Sequence, residues 1–277
     1  MNIKNLITKL ILNKDLSDSE LNLLFNKVIN AEINENLISA ILTLITRNGF
    51  NYKTILSAAK ILRKKLIKVK VPNNSIDTCG TGGDGKHTLN ISTAAAIVLA
   101  GLGVNVVKHG NRSVTSKCGS ADVLEKLGIN IVENKKNLEK KINKDNFIFL
   151  FAPNYHLAMK NVASVRKNLP FKTIFNLLGP LINPGLVKRQ VIGIFDKNLL
   201  IPSFSKTSAD PHFDVIDLFP CFTTLTPKPA NTIAAAVEIL RVCFPSPPVP
   251  QVSIELFGTL TLINFFLRIL AADNMFL

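Results

Sequence analysis

The chain reads as an α/β protein with a small N-terminal helical domain and a larger α/β domain on a mainly parallel sheet, the C-terminal part being incomplete. Three observations lead there. Residues 1–71 repeat apolar positions at helical spacing, residues 72–202 alternate short strand-like and helix-like runs, and the composition changes from about residue 203. The first unit is expected to be joined by helices from about 165–185, and 203–277 stands apart as a tail of uncertain fold.

In the first unit, Ser17 and Glu20 make a capping box, after which Leu21, Leu24, Phe25 and Val28 fall on one helix face. Leu37, Ile38, Ile41, Leu42 and Ile45 repeat the pattern until Asn48-Gly49 stops it. Ile55, Ala58, Ala59, Leu62 and Leu66 predict another helix, closed before Pro72. The period then shifts. Ser75–Cys79, Val104–Lys108, Ile129–Val132, Phe147–Phe151 and Gln190–Phe195 read as strands. Between them, Thr93–Leu102, Ala121–Leu127, Leu138–Ile142 and Asn154–Asn168 read as helices, with Leu169-Pro170 as a break and 176–184 rich in Leu, Gly and Pro. Such alternation implies parallel strands with right-handed crossovers.

Beyond Pro202, Lys and Asn become scarce and prolines crowd in at 211, 220, 227, 229, 245, 247, 248 and 250, with helical periodicity only around Thr232–Leu240. With 47% hydrophobic and 19% charged residues the chain is globular rather than disordered. No secretory leader is expected, since Met1–Leu12 carries Lys4 and Lys9 and no small-residue cleavage site follows. No apolar run reaches the ~18 residues of a spanning helix, so no membrane partner is expected. Cys79, Cys118, Cys221 and Cys243 form neither a CxxC pair nor a metal-ligand spacing, which suits a reduced, cytoplasmic protein. The net charge of +14 is spread through solvated stretches such as Lys135–Lys144. Basic charge alone carries no base-reading chemistry, so nucleic acid is not the expected partner.

Two loops carry the chemistry. Asp77-Thr-Cys-Gly-Thr-Gly-Gly-Asp84-Gly-Lys-His-Thr88-Leu-Asn90-Ile-Ser92-Thr93 lies between a strand and a helix start. Its glycines let backbone N–H groups approach an anion, and the helix dipole favours negative charge there. The plainer alternative is a helix capped by Ser92 or Thr93 after a turn. It is neither a Walker loop nor a dinucleotide fingerprint, because both spacings fail. The second loop, Lys108-His-Gly-Asn-Arg-Ser-Val-Thr-Ser-Lys-Cys-Gly-Ser120-Ala-Asp122, again leaves a strand and enters a helix, with cationic and hydroxyl donors suited to phosphate. His109 alone would more often be structural. Two such loops at the carboxyl ends of neighbouring strands would form a binding crevice.

These loops, continued through Phe151-Ala-Pro-Asn-Tyr-His156, Arg166, Thr173–Pro184 and Gln190–Asp196, resemble the anthranilate phosphoribosyltransferase family over about 70% of the chain. The resemblance implies a nucleoside phosphorylase/phosphoribosyltransferase-like fold, usually a dimer through its helical part. It also implies transfer of a phosphoribosyl group from phosphoribosyl pyrophosphate to anthranilate in tryptophan biosynthesis. On it, Gly80, Gly83, Asp84 and Thr88 would line phosphoribosyl pyrophosphate. Asn90, Ile91, Ser92 and Thr93 would hold its pyrophosphate, Ser92 also ligating Mg2+. Lys108, His109, Gly110, Asn111, Arg112, Ser113, Val114, Thr115 and Ser116, with Ser120, would complete that pocket. Gly80, Asn111 and Arg166 would meet anthranilate, Arg166 through the carboxylate. No acid or base is assigned, since the reaction needs charge stabilisation and alignment more than proton transfer.

The chain departs from that family where a later Asp-Glu magnesium pair is expected: no Asp-Glu dipeptide occurs. Loss of the motif together with the change of composition suggests a shifted reading frame near Leu200–Ser203, which translation of the other frames would test. The rival readings are an inactive decayed copy, a pyrimidine nucleoside phosphorylase-like enzyme, and a nucleic-acid-binding relative. The intact GTGGD loop and Asn-Ile-Ser-Thr weigh against the last two.

Overall fold

The computed structural model describes residues 2–82, 90–113 and 119–193, together with the backbone of 216–218. Four helices come first: α1 (Ile3–Ile11), α2 (Asp18–Ile29), α3 (Glu35–Asn48) and α4 (Tyr52–Lys65). Each begins on a polar cap. Asn2, Ser17, Asn34 and Asn51 all turn a side-chain oxygen to a backbone N–H of the first turn, which satisfies donors the helix leaves open. At α2 the expected capping box is present: Ser17 N–H donates to Glu20 Oε2 at 2.9 Å, and Lys9 Nζ meets Glu20 Oε1 at 2.6 Å.

A five-stranded sheet follows, in the order β3-β2-β1-β4-β5 and parallel throughout. Its strands are β1 (Ile76–Gly80), β2 (Val106–Gly110), β3 (Phe147–Phe151), β4 (Arg189–Gly193) and β5 (Ile216–Leu218). Helices α5 (Ile91–Gly101), α6 (Ser120–Lys126) and α7 (Lys135–Asp145) make the crossovers. The sheet is covered on both faces, as parallel sheets are. Ile76 and Val106 pack with Ala96 and Leu99 of α5, and Phe149 with Ala121 and Leu124 of α6. On the opposite face Val107, Ile148 and Leu150 meet Leu138 and Ile142 of α7, while Cys79 and Ile192 enter the core of the helical bundle.

Two expectations change. Ile129–Val132 is not a strand. Ile131 is buried against Phe149, but Asn130 Oδ1 accepts the Val132 N–H at 3.0 Å, a local bond that replaces a ladder. The single helix expected over Asn154–Asn168 is three pieces: α8 (Ala152–Tyr155), a 3-10 helix (Leu157–Val162) and α9 (Ala163–Asn168). His156, at φ −111° and ψ 60°, breaks the run and turns its ring inward. Helix α10 (Phe175–Leu178) and a 3-10 turn (Gly179–Ile182) then lead to β4. Phe195 and the segment 203–277 lie outside the described residues, save for β5. That strand pairs with β4 inside a stretch whose sequence showed no alternation; three residues are too few to carry one.

Candidate active site

The site is built where β1 and β2 end side by side. β1 runs into Thr81, whose N–H donates to Gly193 O at 2.9 Å, tying the loop to β4. Gly82 follows at φ +65°, a left-handed turn suited to glycine. Gly83, Asp84 and Thr88 lie outside the described residues, and the chain is next seen at Asn90, the cap of α5. Asn90 Oδ1 accepts from Thr93 N at 3.2 Å and Thr93 Oγ1 at 2.8 Å, and lies 3.3 Å from Ser92 Oγ. Its carbonyl end is thereby used up, and its NH2 group points to no acceptor among the described residues. The N–H groups of Ile91 and Ser92 are likewise unclaimed there, and no acidic residue stands in the first turn. An eleven-residue helix with open donors at its start is electropositive at that end.

The β2 loop meets this helix start. Thr93 Oγ1 lies 3.1 Å from Ser120 Oγ, the first residue of α6. Lys108 is 1% exposed; its ammonium donates to Thr78 O at 2.6 Å and to Ser92 Oγ at 3.3 Å. Burial pushes the Lys108 pKa down, against the pull of Asp77. Beyond β2, Asn111 Oδ1 accepts the Arg112 N–H at 2.8 Å, again leaving the amide NH2 without an acceptor among the described residues. Arg112 forks onto Glu125 and reaches Asp122 Oδ1 at 3.0 Å, and Ser113 N–H donates to Asp122 Oδ2 at 3.2 Å. Val114, Thr115 and Ser116 lie outside the described residues. Gly80 and Gly110 close β1 and β2.

Beneath these loops lies a buried polar network in which the sequence assigns a place only to His109, expected in the pocket and found instead in this network. Asp77, fully buried on β1, accepts from His109 N at 3.3 Å, Asn183 Nδ2 at 2.8 Å and Gln190 Nε2 at 3.3 Å. Burial raises its carboxyl pKa despite Lys108 and these bonds. His109 Nδ1 lies 3.1 Å from Gly179 O, and its Nε2 3.0 Å from Nε2 of His156. A carbonyl only accepts, so His109 carries its proton on Nδ1. Neutral His109 then accepts at Nε2 from His156. His156 Nδ1 is left as a buried acceptor without a partner among the described residues. Burial drives both imidazoles toward the neutral form, His156 down to about 4 and His109 well below its ordinary value.

Arg166 sits on α9, with its guanidinium 5.7 Å from the Phe175 ring centroid. It is partly buried, which lowers its pKa, and no carboxylate pairs with it among the described residues. For a metal, those residues offer the Ser92 hydroxyl but no cluster of three His, Cys, Asp or Glu side chains. Magnesium prefers carboxylate and phosphate oxygens. The Ser92 hydroxyl can therefore serve such an ion as one oxygen donor beside the phosphate oxygens of a ligand. No described helix is long and apolar enough to cross a membrane.

Comparison with known proteins bears on the family and the fold. Residues 4–66 match the helical bundle domain of a glycosyl transferase family and residues 72–208 its α/β domain. The anthranilate phosphoribosyltransferase of Saccharolobus solfataricus is 48% identical over 218 residues, covering 79% of this chain and 62% of that protein. That of Chlorobium phaeobacteroides is 47% identical over 200 residues, 72% of this chain and 58% of that one. The chain thus spans about three fifths of the length of these relatives. Among solved structures, the anthranilate phosphoribosyltransferase of Thermus thermophilus superposes with a TM-score of 0.68 at 36% identity, covering 74% of this chain and 63% of that one. The Saccharomyces cerevisiae enzyme in complex with PRPP and Mg gives 0.69 at 30%, covering 79% and 64%. Over residues 4–208 the chain belongs to this glycosyl transferase family of helical-bundle and α/β domains, and the members it resembles here are anthranilate phosphoribosyltransferases.

Proposed function

We propose that the chain binds phosphoribosyl pyrophosphate in this crevice and transfers its phosphoribosyl group to anthranilate, releasing pyrophosphate. The observation that carries the reading is the open-donor start of α5 set against the start of α6 at adjacent strand ends, with Thr93 and Ser120 in contact and Lys108 beneath Ser92. The N–H groups of Ile91 and Ser92 and the amide of Asn90 would hold the pyrophosphate, where charge builds as the C1–oxygen bond breaks. Magnesium, brought on the pyrophosphate and touched by Ser92, would supply further charge neutralisation. The amine nitrogen of anthranilate then bonds to C1 and loses a proton. Arg166, with no carboxylate partner among the described residues, suits the anthranilate carboxylate, which it can meet through two parallel hydrogen bonds, and the Asn111 NH2 would join it. The same reading carries a homodimer through the helical domain, where Ile11 and Leu12 are more than half exposed, and a cytoplasmic location.

A second reading has its own observation, the absence of any Asp-Glu dipeptide: substrates bind and turnover fails. Calorimetry with phosphoribosyl pyrophosphate and magnesium, beside loss of anthranilate fluorescence, separates the two. Binding with turnover supports the transferase, and binding without turnover supports the inactive copy. No binding overturns both. In the transferase case, Arg166→Ala should raise the KM for anthranilate by roughly ten- to a hundredfold, as loss of a charged hydrogen-bonded pair costs about 1.5–3 kcal/mol, with little change in affinity for phosphoribosyl pyrophosphate.

A further inference from the structure

We infer that Arg112 is a positioning residue that sets the backbone of the second loop through Glu125 and Asp122 and does not itself grip the anion. This rests on the reading of the crevice as a phosphoribosyl pyrophosphate site. Arg112 stands in the segment where phosphate-binding cations are expected, yet its guanidinium is bonded to two carboxylates of α6. Nη1 and Nη2 fork onto the two oxygens of Glu125, one and a half turns into α6, and Nη1 also reaches Asp122. A planar fork on a carboxylate fixes direction as well as distance. The Phe151 ring lies below it, 5.9 Å from the guanidinium carbon.

Asp122 is the second half of the fastening. Oδ2 accepts from Gly119 N at 2.8 Å and Ser113 N at 3.2 Å, so one carboxylate joins the two described residues that flank 114–118. Partial burial works against its charge, but these N–H groups and Arg112 outweigh it and hold its pKa below the ordinary carboxylate range. The approach is close enough to demand glycine: a Cβ on Gly119 would stand 2.3 Å from Ser113 N and 2.7 Å from Asn111 O. Ala121 N–H donates to Asn111 O at 3.3 Å on the same side. Residues 111–113 are thus stapled to α6 by main-chain and side-chain bonds together. The outcome is the pose of Asn111, whose oxygen is taken by Arg112 N–H and whose NH2 has no acceptor among the described residues.

The alternatives give opposite results in one mutant set, read as affinity for phosphoribosyl pyrophosphate with magnesium and as thermal midpoint. With Arg112 as a strut, Arg112→Gln, Arg112→Lys and Glu125→Gln each weaken binding by about tenfold, and the Arg112→Gln/Glu125→Gln pair is no worse than either alone, the signature of residues acting as one unit. With Arg112 as a direct ligand, Glu125→Gln frees the guanidinium and binding holds or tightens, and Arg112→Lys keeps most of the affinity; either result overturns the inference. Lower thermal midpoints with unchanged affinity, measured well below those midpoints, would also overturn it, as they make the fastening merely structural. If the unmodified chain binds no phosphoribosyl pyrophosphate, the reading of the crevice falls and takes the inference with it. If that chain binds and Glu125→Gln binds equally, only the inference falls.

Discussion

At the scale of single residues, the site rests on polar groups buried where burial is costly unless each finds a partner. The histidine pair shows how far that fixes chemistry. The Gly179 carbonyl sets the tautomer of His109, and His109 in turn sets that of His156. Both rings must stay neutral, which makes folding sensitive to acid. The unfolded chain takes up protons at these histidines near pH 6.5, whereas His156 in the fold holds out to about 4. Below pH 6.5 the unfolded state therefore binds more protons, and stability falls as pH falls toward 4, by about 1.4 kcal/mol per unit for each such histidine. Denaturant titrations of the unmodified chain and His156→Asn between pH 7 and 4.5 should show a shallower decline in the variant. Equal slopes would mean that His156 does not carry the neutral-ring penalty. The raised carboxyl of Asp77 acts in the opposite direction but is common to both proteins. The sequence named Asn90, Ser92 and Thr93 because hydroxyls and amides after a glycine run at a helix start are a readable pattern, and the family resemblance added Lys108 and Asn111. It gave no role to Asp77, His156 or Asn183, because their partners lie on other elements, as far away as the 106 residues between Asp77 and Asn183.

Among the elements, capping and periodicity were legible because both are local. Ser17 is the clearest instance, its box with Glu20 readable four letters at a time and present in the fold. Replacing it with alanine removes the acceptor for the Glu20 N–H and the reciprocal geometry, and caps of this kind cost about 1 kcal/mol. Ser17→Ala should lower the urea midpoint by that equivalent with an unchanged slope. A loss well below half of this would mean that the Lys9–Glu20 pair, not the cap, holds the start of α2. Four strands were expected close to where they form: β3 has the bounds expected, while β1, β2 and the start of β4 are shifted by one or two residues. The misread elements share one cause. Ile129–Val132 has the β-branched composition of a strand but a side-chain bond from Asn130 that closes the backbone on itself, and the 154–168 run has helical residues but a histidine whose ring is required inside. In each, a contact invisible to periodicity outweighed a propensity worth about 1 kcal/mol or less per residue.

On the scale of the whole molecule, the helical and α/β parts meet in one apolar core. Leu6, Leu24, Ile41 and Leu62 from the first four helices share it with Val165, Phe175, Leu178 and Leu181 from the later ones, and Cys79 and Ile192 enter it from the sheet. The later helices thus act as the joint between the two parts, and β1, which leads into the glycine loop, is held from behind by the bundle. A core shared in this way predicts that the parts unfold together rather than in turn. Cys79 is placed to report it, being 7% exposed at the junction, with burial first and then Asp77 pushing its thiol pKa well up. With Cys118, Cys221 and Cys243 replaced by serine, labelling of the remaining thiol requires the junction to open. If the parts are one cooperative unit, the labelling rate under rapid reclosing should rise with urea along the slope of global unfolding, because that slope scales with the surface exposed. A shallower slope at low urea, with labelling far faster than global unfolding allows, would mean that the bundle undocks from an intact sheet. Leu178→Ala, at a site 1% exposed, should cost about 2–5 kcal/mol and move both curves by the same amount; movement of the labelling curve alone would place the boundary between two independent folding units at that helix.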